Sequence, residues 1–498
     1  PVPQSRMRYS PFKILLFLIA TLLVLLGVTF LSTSRPLDNG LTQEGFFVGD
    51  AHIKYPTHES FLKDQTHDPS KIKSLDSIVD NIEGLVKNLD KDLSKPTSKP
   101  QIPDFTKIDT SKVQRINYPK DRLAFIAQIK ESLNSDQCRI IHYGDSQLEG
   151  DRISGYLRNR LQGLYGGSGP GFIPIVQVYD QISANVTHSD NWTRHAYFDP
   201  TQEKFPHKKY GAYSSLSRFT EAYETVDSLL LDSLKIKKAT ITIGIPTKSY
   251  GLLRTFSKIG LHYGNALAPT SVKVYSDGQL ITSEKLIADG AYHKLAIILA
   301  DTPTNLKIEL ESKISPDFYG LTLDGKSGIS LDNVAMRGSS GTVFAGTNAG
   351  NFQKMYQQLQ PKILIFQYGG NSVPYIKDSL GVTDYANYLK NHINWVKRKS
   401  TNANVIFIGP SDMTTNENGK MKTYPLLPYL NKTLQQMCSE NGIAYWSMFD
   451  AMGGENSMQH WVDQGLAAND YTHFSPSGTK IISELFFLSL YLDLKNKK

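Results

Sequence analysis

The pattern of hydrophobic and polar positions changes character several times along the chain. From Ile14 to Leu31 the residues run without a charge, just long enough to cross a hydrocarbon core of ~30 Å as a helix. From Pro69 to Leu93 the apolar residues Ile72, Leu75, Val79, Ile82, Val86, Leu89 and Leu93 alternate spacings of three and four. That spacing predicts a helix with a heptad seam, N-capped by Asp68 and carrying Pro69 in its first turn. A Pro-, Ser- and Lys-rich linker follows it, and residues 32–121 as a whole read as a tether.

Beyond the tether the period switches. Residues 138–143 form an apolar run and predict a strand, followed by a helical pattern from Asp151 to Leu164. Between Lys204 and Lys326 short alternating runs at 239–245, 271–277, 293–299 and 306–312 are joined by Gly, Pro, Asn and Asp, which predicts an inserted β-sandwich. Strand and helix then alternate again. Strands are expected at 328–336, 362–368, 404–409 and 443–448, and helices near 345–359, 383–399, 425–441 and after Pro476. Five strands alternating with helices predict an α/β fold whose mainly parallel sheet is covered on both faces. The expected organisation is an N-terminal segment 1–13, a membrane helix 14–31, the tether 32–121, an α/β domain split into 122–203 and 328–498, and the insertion 204–327.

Composition narrows the partners. With 40% hydrophobic and 20% charged residues the chain has the make-up of a folded body. The net charge of +7 is spread among scattered Lys and Arg, with no basic arm, which argues against a nucleic-acid partner. Its sign agrees with an anionic polymer, and equally with solubility. Arg6, Arg8 and Lys13 precede the apolar run, so the positive-inside rule puts the N-terminus in the cytoplasm and the rest outside. The long apolar run, with no A-x-A site behind it, favours an uncleaved anchor over a cleaved signal peptide. Cys138 and Cys438 are the only cysteines, which excludes a disulfide scaffold. His, Cys and carboxylates nowhere cluster at ligand spacing, and neither a metal nor a cofactor is expected. The seam at 69–93 suits either self-association into a homo-oligomer or docking on the chain's own body.

Candidate chemistry lies at the ends of the predicted strands, where active residues of parallel α/β sheets gather. Tyr143-Gly144-Asp145-Ser146-Gln147 places a serine on a tight turn between a strand and a helix, the position of a nucleophile, although Asp and Ser there also suit helix capping. Gly338 follows the second strand and Asn371 the third. With the N–H of Ser146, the N–H of Gly338 and the side chain of Asn371 can cradle an oxyanion. Asp470 precedes His473 by three residues, a spacing that reaches Nδ1 and leaves Nε2 to take the serine proton. Gly169 and Gly171, in a Gly-rich stretch that lacks the Lys-Ser/Thr of a phosphate loop, are the alternative oxyanion glycines.

In this order the four blocks resemble the SGNH subgroup of the GDSL esterases and lipases, over about residues 136–200 and 328–495. The resemblance implies a three-layer α/β/α fold related to flavodoxin, with Ser146 as nucleophile, His473 and Asp470 completing the triad, and Ser146, Gly338 and Asn371 as oxyanion donors. Asp145 and Gln147 flank the nucleophile. Two positions depart from the family pattern: Gln147 stands where Leu is usual and touches the rim of the site, and Ser372 follows Asn371 where Asp is usual. A β-sandwich between the serine and glycine blocks is similar to the peptidoglycan O-acetylesterases and O-acetyltransferases of Gram-negative envelopes. That likeness implies an acylated envelope glycan as substrate, a carbohydrate-binding-like insertion and an inner-membrane, periplasm-facing location. Hydrolysis of the ester is the first expectation. Transfer with a membrane-bound O-acyltransferase partner is the second, and a non-catalytic glycan-binding envelope protein the third. Tyr250, Tyr263, Tyr275 and Tyr292 of the insertion are expected to pack within its strands.

Overall fold

The computed structural model describes residues 10–36, 42–48, 51–55, 57–58, 79, 86, 102–103, 108–417 and 420–495. The chain forms two compact units, divided between Lys73 and Ser74.

In the first unit, helix Pro11–Thr29 starts with proline in its first turn, where the missing N–H has no helical partner to lose. Its 19 residues have a mean hydropathy of 2.5 and span about 28 Å at 1.5 Å per residue. Phe12, Phe17, Leu22 and Leu23 are 66%, 70%, 65% and 62% exposed, so this helix is a candidate membrane span. It begins three residues before the expected Ile14 and ends at Thr29. The tether contains more structure than its composition suggested. Strands Thr33–Pro36, Thr42–Val48 and Ala51–Lys54 form an antiparallel sheet, with the Arg35 guanidinium 4.3 Å from the centre of the Phe47 ring. The aromatic pair Phe46 and Phe47 supplies the strand preference there.

Of the heptad seam expected at 69–93, Val79 and Val86 are described; both are helical and both are buried in a core cluster of the second unit. Docking of the stripe on the chain's own body produces such burial. Asp68 and the other seam positions lie outside the described residues.

The α/β domain begins earlier than the expected residue 122. Ile108 and Val113 are buried with Leu488, and Asn117 and Tyr445 exchange backbone hydrogen bonds of 2.7 and 2.8 Å. Arg115 and Arg122 both donate to the buried carboxylate of Asp493, whose second oxygen accepts from Tyr118 at 3.0 Å. Long-range contacts of this kind leave no local pattern in the chain, so the segment read as linker.

The central sheet has five parallel strands: β1 Gln137–Gly144, β2 Gly328–Ala335, β3 Pro361–Gln367, β4 Asn404–Ile408 and β5 Ala444–Trp446. Their order is β2-β1-β3-β4-β5, the flavodoxin-like arrangement. Side-chain alternation divides them between two cores. Ile363, Ile365, Ile406 and Ile408 face one cluster with helices Arg122–Leu133, Arg152–Tyr165 and Pro476–Lys495. Leu364, Phe366, Val405 and Phe407 face the other, with helices Ala349–Leu359, Ser379–Lys397 and Leu427–Glu440. Cys138 and Cys438 are free and buried.

Between β1 and β2 the chain builds two antiparallel sheets. One contains Thr193–Ala196, Ser215–Arg218, Lys258–Gly264, His293–Ile298, Asp317–Asp324 and Gly171–Ile173; the other contains Asn185–His188, Lys237–Gly244, Thr270–Ser276, Gln279–Lys285 and Asn305–Ser312. Ile241, Val272 and Ile308 of the second share a buried cluster with Ile259, Leu261 and Leu321 of the first. This part starts near Gly171, well before the expected residue 204, because three strands of only three or four residues precede the clear alternation. Tyr263 and Tyr292 are buried in it, as expected of packing residues. The Gly-rich stretch is the seam between the two parts. A Cβ on Gly167, Gly169 or Gly171 would stand 2.5, 2.3 and 2.3 Å from the backbone of Ile329, Leu323 and Leu331, so only glycine permits the approach. The N–H of Gly169 donates to Leu252, which leaves it no part in an oxyanion cradle.

One buried ion pair ties helix Arg152–Tyr165 to the last helix, Pro476–Lys495. Arg160 donates to Glu484 at 3.0 and 3.1 Å, Tyr156 donates to the same carboxylate at 2.8 Å, and Phe487 stacks under the guanidinium at 4.3 Å. Breaking such a pair on one side leaves a buried charge unbalanced. Glu484→Gln is expected to lower the thermal unfolding midpoint and cost roughly 3 to 5 kcal/mol, with Arg160→Met in the same chain recovering part of the loss.

Candidate active site

The carboxyl ends of the strands lie in one row. Gly144 of β1 is level with Ala335 of β2 and Gln367 of β3, Gln367 with Ile408 of β4, and Ile408 with Trp446 of β5. The loops that leave this row therefore start at one height, and those after β1 and β3 flank the point where the strand order reverses.

A Cβ on Gly144 would stand 2.7 Å from the Leu148 side chain and 3.1 Å from the Gln367 carbonyl, so the turn out of β1 needs glycine. Asp145 takes the capping role, its Oδ1 accepting from the N–H of Gln147 at 3.0 Å. Ser146 is left to face the opposite loop: its Oγ lies 2.7 Å from Nε2 of His473. The His473 ring is held from behind, with Nδ1 2.8 Å from Oδ2 of Asp470. Oδ1 of Asp470 accepts from the N–H groups of Thr472 and His473, each at 3.0 Å, and Tyr471 turns the chain between them at φ 54°. Partial burial pulls the Asp470 pKa upward, but the backbone and ring N–H groups of His473 and the N–H of Thr472 outweigh it and hold this carboxyl below its ordinary range.

Ser146, Asp145, Gln147, Asn371 and His473 line one pocket of about 60 Å³, together with Gly409, Pro410 and Met413 after β4 and Met448 after β5. Asp470 stands behind His473, outside the lining. Gly338 lies outside it too: it sits on the loop after β2 with φ 74°, two residues beyond Met336, whose N–H is bonded to the Gly144 carbonyl at 2.8 Å. This loop meets the site through Asn371, whose Nδ2 donates to the carbonyl of Ser339 and to Oδ2 of Asp145, both at 3.1 Å. Both N–H groups of the Asn371 amide are thus engaged at rest, so donation to an oxyanion requires one of these bonds to be shared. Ser372, where the family pattern has Asp, donates to the Gly369 carbonyl at 2.6 Å and closes the short helical turn that carries Asn371.

Gln147 is more than a rim residue. It is 8% exposed, and its Nε2 donates to the carbonyl of Thr472 at 2.7 Å, tying the serine turn to the histidine loop. Gln367 and Tyr368, at the end of β3, line the same pocket and were not singled out from the sequence. A polar residue closing the apolar run KILIF was the available signal.

Burial pushes the Asp145 carboxyl up to about 6, against the hydrogen bond from the Gln147 N–H. The folded chain therefore holds this proton to higher pH than the unfolded chain, and the contribution of Asp145 to stability falls as pH rises from about 4 to about 6. A carboxyl-carbon NMR titration is expected to place the midpoint of Asp145 near 6, and a midpoint near the ordinary 3.8 would contradict the buried setting.

No protein-family model matches the chain, and no curated protein matches it in sequence. Solved structures do. A peptidoglycan O-acetylesterase aligns with a TM-score of 0.59 and 20% identity, over 76% of this chain and 99% of its own. A family two carbohydrate esterase from Clostridium thermocellum aligns at 9% identity over 50% of this chain and 90% of its own, with a TM-score of 0.24. An acetyl xylan esterase from Butyrivibrio proteoclasticus aligns at 10% identity over 52% and 90%, with a TM-score of 0.22; matches of that order carry no argument about this chain. In its fold the chain resembles the peptidoglycan O-acetylesterase.

Proposed function

We propose that this chain is a membrane-anchored serine esterase that removes O-acetyl groups from an envelope glycan, with peptidoglycan as the substrate. The observation that carries the reading is the unbroken hydrogen-bond line from Asp470 through His473 to Ser146, at 2.8 and 2.7 Å, where the sheet order reverses. The candidate span near the N-terminus and the basic residues before it support a helix in the inner membrane and an α/β domain in the periplasm.

In the reaction, Nε2 of His473 takes the proton from Oγ of Ser146 as the oxygen attacks the ester carbonyl. Asp470 holds the ring in the tautomer that leaves Nε2 free to accept and stabilises the positive charge that forms. The oxyanion is met by the N–H groups of Ser146 and Gly338 and by the Asn371 amide as its bond to Asp145 or Ser339 is shared. His473 then passes its proton to the departing sugar oxygen. Water attacks the acyl-serine by the same steps in reverse, and acetate leaves. A pocket of about 60 Å³ admits on the order of four water-sized groups, which suits a two-carbon acyl group.

The test is acetate release from O-acetylated peptidoglycan by the full chain in detergent. Ser146→Ala is expected to lower the rate by at least ~10³-fold with the unfolding midpoint kept. A folded wild-type chain that releases no acetate would remove the esterase reading. Acetate moved onto added glycan, with none set free, would turn it into a transferase. Gln147→Leu restores the residue usual at this position and removes the tie to Thr472. One neutral hydrogen bond contributes about 1 kcal/mol, so kcat on 4-nitrophenyl acetate is expected to fall roughly 5-fold. An unchanged kcat would show that the histidine loop holds its place without Gln147.

A further inference from the structure

A second and larger cavity, of about 300 Å³, lies between the central sheet and the inserted sheets, within the size range of ligand pockets. Glu149 and Gly150, three and four residues beyond Ser146, form part of its wall, and Arg337, next to Gly338, forms another part. It therefore adjoins the segment that carries Ser146, and it shares no lining residue with the smaller pocket. Val176, Val178 and Phe198 give it apolar walls of the kind that pack against the faces of a sugar ring.

Its charged residues are not equally committed. Arg337 lies 3.6 Å from Glu149 and donates to the hydroxyl of Tyr179. Asp199 accepts from the N–H and the hydroxyl of Thr201 at 2.9 and 2.7 Å. Arg194, on strand Thr193–Ala196 of the insertion, differs from both. Among the described residues it makes no ion pair and no hydrogen bond, its Nε is buried without a partner, and its guanidinium meets only the Phe198 ring, at 5.6 Å. Desolvation lowers its pKa, although Asp199 and Glu149 act on it from a distance in the opposite sense. Arg194 is half-buried, with Nε shut off from water and the rest of the fork open to the cavity side, and that fork matches a carboxylate in two parallel hydrogen bonds.

We propose that this cavity is a subsite for a carboxylate-bearing sugar of the glycan, with the carboxylate held by Arg194 while the ester reaches Ser146. One negative charge is the complement of one uncommitted guanidinium. A doubly charged group would meet Glu149 and Asp199 on the same walls. The proposal rests on the reading of the chain as a glycan esterase for what it places at Ser146, but the cavity's preference for a carboxylate is independent of turnover.

Binding is the test, by ligand-observed NMR titration of the full chain in detergent carrying Ser146→Ala. The probes are N-acetylmuramic acid, a sugar with a free carboxylate, and the methyl amide of the same acid. The acid is expected to bind at least ~10-fold more tightly than the amide, the difference a charge-assisted hydrogen bond supplies. Arg194→Gln is expected to bring the acid down to the level of the amide, with Arg194→Lys in between. Equal affinity for acid and amide before any change at Arg194, binding of neither, or a preference that survives Arg194→Gln would each overturn the subsite. An Arg194-dependent preference in a chain whose wild type releases no acetate would keep the subsite and discard the esterase. Acetate release without the preference would do the reverse.

Discussion

The edge of the sheet that carries the candidate site depends on a fully buried ion pair just beyond Ser146. Arg158 donates to both oxygens of Asp151, at 2.7 and 3.1 Å, and through Nε to the Leu331 carbonyl of β2 at 2.6 Å. Asp151 itself sits in the left-handed region, at φ 59°, and also accepts from Ser183. A carboxylate kept from water needs such partners, and here they come from the helix and the start of the insertion, while the sheet holds Arg158 in turn. The segment from Ser146 to Asp151 is thereby fixed at its far end, while Gly144 and Asp145 fix its near end. Ser146 rides on a short span clamped at both ends, which is how its oxygen keeps one direction without a long side chain to steer it.

A second buried network fastens the insertion to the sheet. Arg139 of β1 donates to Asp332 of β2 at 2.6 Å and to Asp324 at the end of an inserted strand, and Tyr213 of the insertion donates to the other oxygen of Asp332 at 3.0 Å. Together with the close glycine seam, this gives the inserted sheets a fixed bearing on the ends of β1 and β2. A module joined by a linker alone would present its surface anywhere. This one presents strand Thr193–Ala196, and with it Arg194, to the wall of the nucleophile segment.

The parts of the fold legible in the sequence were those with a strong local period. The five parallel strands and the helices between them lie within a few residues of their expected limits, because runs such as KILIF and NVIFI announce themselves. The segment from 108 to 121, the three short strands before residue 197 and the N-terminal sheet were not legible, since their places depend on partners far along the chain. The meeting of Ser146, His473 and Asp470 was legible because the chemistry expected of them requires an order and a spacing. The engagement of Asn371 by Asp145 and Ser339, and the tie from Gln147 to Thr472, join residues more than thirty positions apart, and no spacing rule predicts them. Arg194 carries no sequence signal either, because an arginine on a short strand reads as surface until its lack of partners is seen.

These contacts divide the site into a rigid half and a lighter one. Ser146, Asp145 and Asn371 stand on turns anchored to the sheet, and Asp145 is almost wholly buried. His473 and Asp470 stand on a loop at the surface, with side chains 33% and 52% exposed. An exposed carboxylate gains less from its charge than a buried one, so Asp470 serves mainly through geometry, holding Nδ1 and two backbone N–H groups in one turn. The loop is fastened elsewhere by the Ala468 N–H to the His473 carbonyl at 2.8 Å, and across the site by Gln147. That last bond couples the two halves together with Arg152, whose Nη1 donates to the Phe474 carbonyl at 3.2 Å, and with the Thr414 N–H, which donates to the Tyr471 carbonyl at 3.4 Å. Gln147 thus departs from the resembled pattern at one of the bonds that hold the His473 loop against the serine turn.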